Sequence, residues 1–374
     1  MATRDKLEKK PQEADPTKQR ITELEEEIRK TPYNKATQKH IGMLKAKLAQ
    51  LQDKLTAEQA RKSGKKGLGF GIRKTGDATV LLVGFPSVGK STLLNALTNA
   101  DSPVADYEFT TLTVIPGMMV YNGARIQMLD IPGIITGAST GKGRGKEILS
   151  MARAADLICL MLDASKDYEN QAMIIKDELN KAGFRLNQRP PDIRFQKKTT
   201  GGISITFHRP TLDGEIIKEV LHQFGLLNAE LVVPKNLAVD QLVDFVAGNR
   251  VYIPFVVIVN KTDVLKRVPA GRDDMIFISA KNHENINRLK EMIWDKLCFT
   301  RIYLKRIGKE PDMEEPLIMK GNPTVSEVSK AIHKEFHDKL SHARIWGPSS
   351  KFPGQRVGVE QRLRDGDIVE LHMD

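Results

Sequence analysis

Gly84-Phe85-Pro86-Ser87-Val88-Gly89-Lys90-Ser91 decides the fold of this chain. The eight residues fit G-x-x-x-x-G-K-[ST], directly after the apolar run at 80–83 and at the start of a helical stretch over 90–96. A strand that turns through glycines into a helix is the context in which this pattern makes a phosphate-binding loop. Backbone N–H groups of the loop and of the helix start face phosphate oxygens, and the helix dipole favours their charge. Gly84 to Ser91, with Thr92 next in the helix, are therefore the candidate phosphate-binding residues. Lys90 is placed to reach β- and γ-phosphates, and the Ser91 hydroxyl to ligate Mg²⁺.

Around this loop, apolar runs at 126–129, 157–162, 255–259 and 275–278 alternate with helical stretches, one of them near 146–155. Continuous apolar strands separated by helices predict a parallel sheet covered on both faces, an α/β fold. The rhythm breaks over about 184–247. There the runs 193–195 and 203–207 flank Gly201-Gly202 as a hairpin would, and helices are expected near 213–224 and 239–247. This is an α+β insertion. Before the sheet, Ile21, Leu24 and Ile28 make one apolar stripe, and Ile41, Leu44, Leu48, Leu51 and Leu55 another, broken by Thr31-Pro32. That pattern predicts an N-terminal helical hairpin. After the sheet, a strand at 302–305, a helix over 326–336 capped by Ser326, and Asp365-Gly366-Asp367 leading into a strand at 368–371 predict a compact α+β module. The division is 1–75 for hairpin and linker, 76–300 for the sheet domain with its insertion, and 301–374 for the last module.

Three further motifs fall at strand ends, where open α/β sheets bind ligands. Asn260-Lys261-Thr262-Asp263 follows the run at 255–259. A carboxylate there accepts from the N1–H and exocyclic amine of guanine, whereas adenine leaves it unpaired at high cost. Ser279-Ala280-Lys281 follows the next run and completes the base pocket through the Ala280 N–H. Asp130-Ile131-Pro132-Gly133 ends the run at 126–129; Asp130 can hold a Mg²⁺ site through water, and the Gly133 N–H can meet a γ-phosphate. Between it and the loop lies Tyr107-Glu108-Phe109-Thr110-Thr111, where the Thr111 hydroxyl closes the metal shell only when a γ-phosphate is present. Lys90, Thr111 and Gly133 are thus the candidate catalytic groups, and Ser91 and Thr111 the candidate metal ligands.

Composition narrows the class. The chain has 374 residues, two cysteines and a net charge of +11, so a disulfide scaffold is excluded. No apolar run approaches the ~18 residues of a membrane span, and the N-terminus is charged. A soluble cytoplasmic protein is expected. Residues 1–75 hold 19 Lys/Arg against 10 Asp/Glu, a net of +9, while 76–300 hold 26 against 25. The excess peaks in the glycine-rich stretch 61–74, which has no acid, and fits equally a polyanionic partner such as RNA or a solubilising tail.

The motif set resembles the translation-factor class of GTPases. Gly-Phe-Pro-Ser-Val-Gly-Lys-Ser, Tyr-Glu-Phe-Thr-Thr-Leu and Asp-Ile-Pro-Gly-Ile-Ile, with Gly141-Lys142-Gly143-Arg144-Gly145, resemble its Obg-related group and within it the developmentally regulated GTP-binding protein family. The resemblance implies a P-loop GTPase domain with a ribosomal-protein-like insertion and a C-terminal TGS domain of β-grasp fold. It further implies a ribosome-associated role in translation and, in eukaryotic members, a small regulatory partner protein. Ile134 stands where Ras-like enzymes carry a water-orienting Gln, so slow intrinsic hydrolysis is expected. Some relatives with that change use a potassium ion held by a P-loop Asn; Ser87 occupies this place here, and potassium stimulation is expected nonetheless. Two other readings stand beside the GTPase. An ATPase is disfavoured by Asp263, and a non-enzymatic RNA scaffold by the intact phosphate and metal elements.

Overall fold

Strands β1 (Ala78–Gly84), β4 (Leu157–Asp163) and β10 (Phe255–Asn260) are buried at every residue. Nothing in them alternates because both faces of the sheet they form are covered. The computed structural model describes residues 16–34, 37–62, 75–98, 115–130, 153–207, 212–248, 250–333 and 337–373. Within these, β2 (Ile115–Tyr121), β3 (Ala124–Asp130) and β11 (Met275–Phe277) complete a six-stranded sheet of order β11-β10-β4-β1-β3-β2. All its pairings are parallel except β2 with β3. The helices Lys90–Leu97, Tyr168–Lys181 and Ile286–Leu297 pack against it.

The edge strand β2 is not among the apolar runs read from the sequence. Pro116 and Gly117 disguise it, but an edge position tolerates a missing N–H. Asn122 and Gly123, both at positive φ, make the two-residue turn into β3. Gly117 is required for space, since a Cβ there would sit 2.6 Å from Thr98 Cγ2 and 2.8 Å from Leu94 Cδ1.

The Ile286–Leu297 helix runs into the last module through one residue, Cys298, at φ 51. Strands β12 (Phe299–Leu304), β13 (Leu317–Lys320), β14 (Leu340–Trp346), β15 (Gln355–Val357) and β16 (Asp367–Met373) form a sheet of order β13-β12-β16-β14-β15. The Val325–Ile332 helix packs over it on a core that includes Ile302, Val328, Ile345 and Val369. Its cap is Thr324, not Ser326: Thr324 Oγ1 accepts from the Glu327 N–H, and the Glu327 carboxylate returns to the Thr324 N–H. Ser326 lies inside the first turn, and the helix ends at Ile332, short of the expected 336. The module is fastened to the first sheet. Lys320 pairs with Asp156 at 2.6 Å, Trp294 packs edge-on against Phe299 and Tyr121, and Pro316 lies on Gly123, where a Cβ would come within 2.6 Å of its ring.

The helical hairpin is not a body of its own. Helices Pro16–Lys30 and Gln38–Lys62 fold with the described residues of 189–251 into one unit, and the described residues of 70–188 and 252–374 form the other. The chain enters and leaves the insertion through β5 (Phe184–Leu186) and β9 (Val251–Ile253), which pair with each other. The insertion holds β6 (Arg194–Lys197), β7 (Ile203–Phe207), β8 (Ala229–Val233) and the helices Gly214–Gln223 and Val239–Ala247. The expected hairpin of β6 and β7 is absent, because β8 lies between them, antiparallel to β6 and parallel to β7. Asn228 secures this order: its side chain accepts from the Gly202 N–H and donates to the Thr199 carbonyl. The second hairpin helix packs on this core with Ala46 and Ala49, small residues between the expected leucines, and with Gly42 against Val239. Lys45 pairs with Asp240 at 2.6 Å and Lys39 with Glu219 at 3.6 Å, so part of the basic excess is neutralised within the unit.

Candidate functional site

The phosphate loop leaves β1 at Gly84. A side chain there would meet the Met161 carbonyl at 2.4 Å, so β4 can lie close only against glycine. Ser87 (φ 62) and Gly89 (φ 94) take the left-handed turns that fold the loop back on itself, a form that turns backbone N–H groups toward an anion. Phe85 is half-buried, Pro86 and Ser87 are exposed, and Val88 is buried in the core. Lys90 opens the following helix, with Nζ 3.3 Å from the Gly84 and Phe85 carbonyls. Its charge is thus held over the loop mouth by dipoles alone among the described residues. Ser91 and Thr92 follow in the first turn, both exposed.

Ser91 Oγ donates to Asp130 Oδ2 at 2.9 Å. Asp130 ends β3 and is buried, and its Oδ1 has no hydrogen-bond partner among the described residues. A buried carboxylate oxygen without a donor is costly, and a hydroxyl beside a carboxylate is the oxygen-donor chemistry that a hard divalent cation takes. The residues present therefore fit Mg²⁺. Thr111, Ile131, Pro132, Gly133 and Ile134 lie outside the described residues, as do 107–110, 141–145 and most of the helix expected near 146–155.

At the other end, Asn260 closes β10 and ties three segments together. Its Nδ2 donates to the Val88 carbonyl and its Oδ1 accepts from the Ala280 N–H, both at 2.9 Å. Gly89 is glycine for this reason too, since a Cβ would sit 2.4 Å from the Asn260 amide nitrogen. The Ala280 N–H, expected to face the base, is engaged by Asn260, so a base oxygen would share it. The exposed Asp263 carboxylate is aimed by the buried Ser279, whose Oγ donates to it at 2.7 Å and accepts from the Asn282 N–H at 3.2 Å. Lys281 is exposed on the turn beyond. Lys261, at φ 68, sends Nζ to Asp163 Oδ2 at 2.7 Å. Sequence reasoning missed Asp163, and its only local signal is a carboxylate closing an apolar run.

The loop after β1 and the Asp263 carboxylate thus stand at strand ends of one sheet, and the chain matches known families. Residues 79–197 match the family model described as a 50S ribosome-binding GTPase, 200–299 the C-terminal region of that domain, and 300–373 the TGS domain. An uncharacterized GTP-binding protein of Methanocaldococcus jannaschii is 47% identical over 362 residues, covering 94% of this chain and 91% of that one. The developmentally-regulated GTP-binding protein 2 of Bos taurus is 41% identical over 359 residues, covering 94% and 98%. The chain belongs to the developmentally regulated GTP-binding protein family. This member is accordingly a GTPase-family protein that binds GTP, with a P-loop domain on a largely parallel sheet and a C-terminal TGS domain. Among its described residues no helix is long and apolar enough to cross a membrane.

Proposed function

We propose that this protein is a Mg²⁺-dependent GTP hydrolase that works in the cytoplasm as a switch on the ribosome. The observation that carries the hydrolase reading is the Ser91–Asp130 pair beside Lys90, with one Asp130 oxygen buried and unpartnered among the described residues. Ser91, Asp130 through water, and Thr111 would hold Mg²⁺, which supplies positive charge to the phosphate oxygens. Lys90 adds its own charge between the β- and γ-phosphates, and the loop N–H groups of residues 84–92 orient them. Thr111 and Gly133 sense the γ-phosphate, so the segments around them change when it leaves. Asn260, Lys261, Asp263, Ser279, Ala280 and Lys281 hold guanosine, and Asp263 selects guanine. Ile131 and Pro132 carry the chain from Asp130 to Gly133. The aliphatic Ile134 cannot orient water, so turnover of the isolated protein is slow, on the order of 10⁻⁴–10⁻² s⁻¹, and potassium or a bound partner accelerates it.

The ribosomal part of the reading rests on the matched family description and on the +9 of residues 1–75. With Lys39 and Lys45 committed to the insertion, the charge offered to RNA concentrates in 61–74. The test is single-turnover GTP hydrolysis with and without ribosomes, Mg²⁺ and K⁺, alongside co-sedimentation with GTP, GDP and a non-hydrolysable analogue. Hydrolysis lost to a chelator and co-sedimentation that depends on the nucleotide support the proposal. Turnover indifferent to Mg²⁺, or no ribosome binding in any nucleotide state, overturns it.

A further inference from the structure

Lys261 carries an ammonium at the edge of the proposed guanosine pocket, yet that ammonium is spoken for. Asp163 is the last residue of β4 and stands opposite Asn260 in the parallel register with β10. Its side chain is 3% exposed, against 36% for Lys261. One carboxylate oxygen accepts from Lys261 Nζ at 2.7 Å; the other accepts from the Ser165 N–H at 3.0 Å and the Ser165 hydroxyl at 2.6 Å. Gln171, on the Tyr168–Lys181 helix, takes the Asp163 N–H through Oε1 and donates to the Asp163 carbonyl through Nε2. The carboxylate is therefore fixed from its own turn and its backbone from the neighbouring helix before it meets the lysine. Burial opposes its ionisation, but the bonds from Lys261 and Ser165 and the ammonium charge outweigh it and hold the group below the usual Asp range.

A free lysine samples many rotamers, and holding one costs entropy. Here both ends of the side chain are defined. The backbone is set by a left-handed turn (φ 68) and the tip by a buried acid. What remains for a ligand is the methylene stem, an apolar bar at a fixed place, rather than a mobile cation. We infer that Asp163 is a positioning residue for nucleotide binding: by anchoring Lys261 it fixes that stem as a wall of the guanosine pocket. The inference rests on the proposal that Lys261 belongs to that pocket. It concerns the guanosine end alone, so GDP and GTP are affected alike and the phosphate machinery is untouched.

The experiment is a double-mutant cycle on the full chain, read as the dissociation rate of a fluorescent GDP analogue. Asp163→Asn keeps the shape and removes the charge. It should speed release about tenfold, the order of one charge-assisted hydrogen bond, and raise KM without lowering kcat at saturating GTP. Lys261→Ala should do at least as much, and Asp163→Asn placed on Lys261→Ala should add less than twofold, because the anchor has nothing left to hold. If Lys261→Ala leaves release unchanged, the pocket assignment itself is wrong. If Lys261→Ala acts but Asp163→Asn does not, or the two effects multiply, Asp163 serves only the fold and the inference falls. Should Asp163→Asn fail to give a cooperative melt, Ser165→Ala takes its place. It loosens the carboxylate without removing it, and two- to threefold faster release is expected, with unaltered release counting against the inference.

Discussion

The two ends of the nucleotide site are organised by different means. At the base end the polar groups are matched within the chain: Asn260 to Val88 and Ala280, Lys261 to Asp163, Asp263 to Ser279. Among the described residues, Lys90 at the phosphate end touches only carbonyls at 3.3 Å, and Asp130 keeps an oxygen without a partner. The base end sits on strand ends that the sheet already fixes, so its geometry exists before any ligand arrives. The phosphate end gathers cationic and anionic groups whose partners, in the proposed function, are the triphosphate and its metal. The proposed site would recognise guanosine by fit and sense phosphate by charge.

The comparison is broken most severely by Lys90→Ala. With phosphate charge uncompensated, single-turnover hydrolysis should fall by on the order of 10²–10³, while competition by guanosine alone, which carries no phosphate, stays as in the wild type. Equal loss for guanosine would mean that the two ends are not separable. Asp263→Asn attacks the other end. It should cost about 1.5–3 kcal/mol of GTP affinity and turn preference toward xanthosine triphosphate, whose 2-oxo group can accept from the new amide; nucleotide titrations decide it. Asn260→Ala spans both ends, because it releases Val88 and Ala280 together. Its expected cost is about 1–3 kcal/mol of stability, seen as a lower melting temperature with weaker binding of GTP and guanosine alike.

The smallest effect is a pH signature of the base end. Because the folded Asp163 titrates below its unfolded value, its stabilisation is complete above the unfolded pKa of about 3.9 and is lost as pH falls through the lower folded value. The melting difference between wild type and Asp163→Asn should therefore be level from neutral pH down to about 5 and shrink only below about 4. A difference that changes between pH 6 and 8 would assign the effect to another group.

What could be read from the sequence follows from how local each signal is. The phosphate loop and Asn260-Lys261-Thr262-Asp263 are contiguous, and their neighbours in the chain already state strand and helix. Asp163 serves a lysine 98 residues away, and no spacing rule announces such a pair. The placement of β8 between β6 and β7 is likewise a non-local choice, made by the Asn228 side chain and by the alternating burial of β8, while Gly201-Gly202 advertised a simple turn. Thr324 and Glu327 did spell a capping box, and Asn122-Gly123 a tight turn; both signals lay in the sequence. On the Gln38–Lys62 helix Ile41 and Leu44 of the expected stripe are buried, but that stripe is not the whole of its packed surface. Close helix packing selects Gly42, Ala46 and Ala49, which a search for large apolar residues passes over.

The hairpin of β2 and β3 has a mechanical side. Asp130 stands at one end of β3, beside Ser91, and the Asn122-Gly123 turn at the other, with Pro316 of the C-terminal module set against the glycine. Seven residues of extended chain make a rod of about 20 Å, stiff along its axis. There is no slack at its far end, because the ring already stands where a single methyl would not fit. An axial slip of β3 at Asp130 would press toward Pro316, as a push rod delivers a stroke. The strand that carries the carboxylate of the phosphate end thus also runs directly to the C-terminal module.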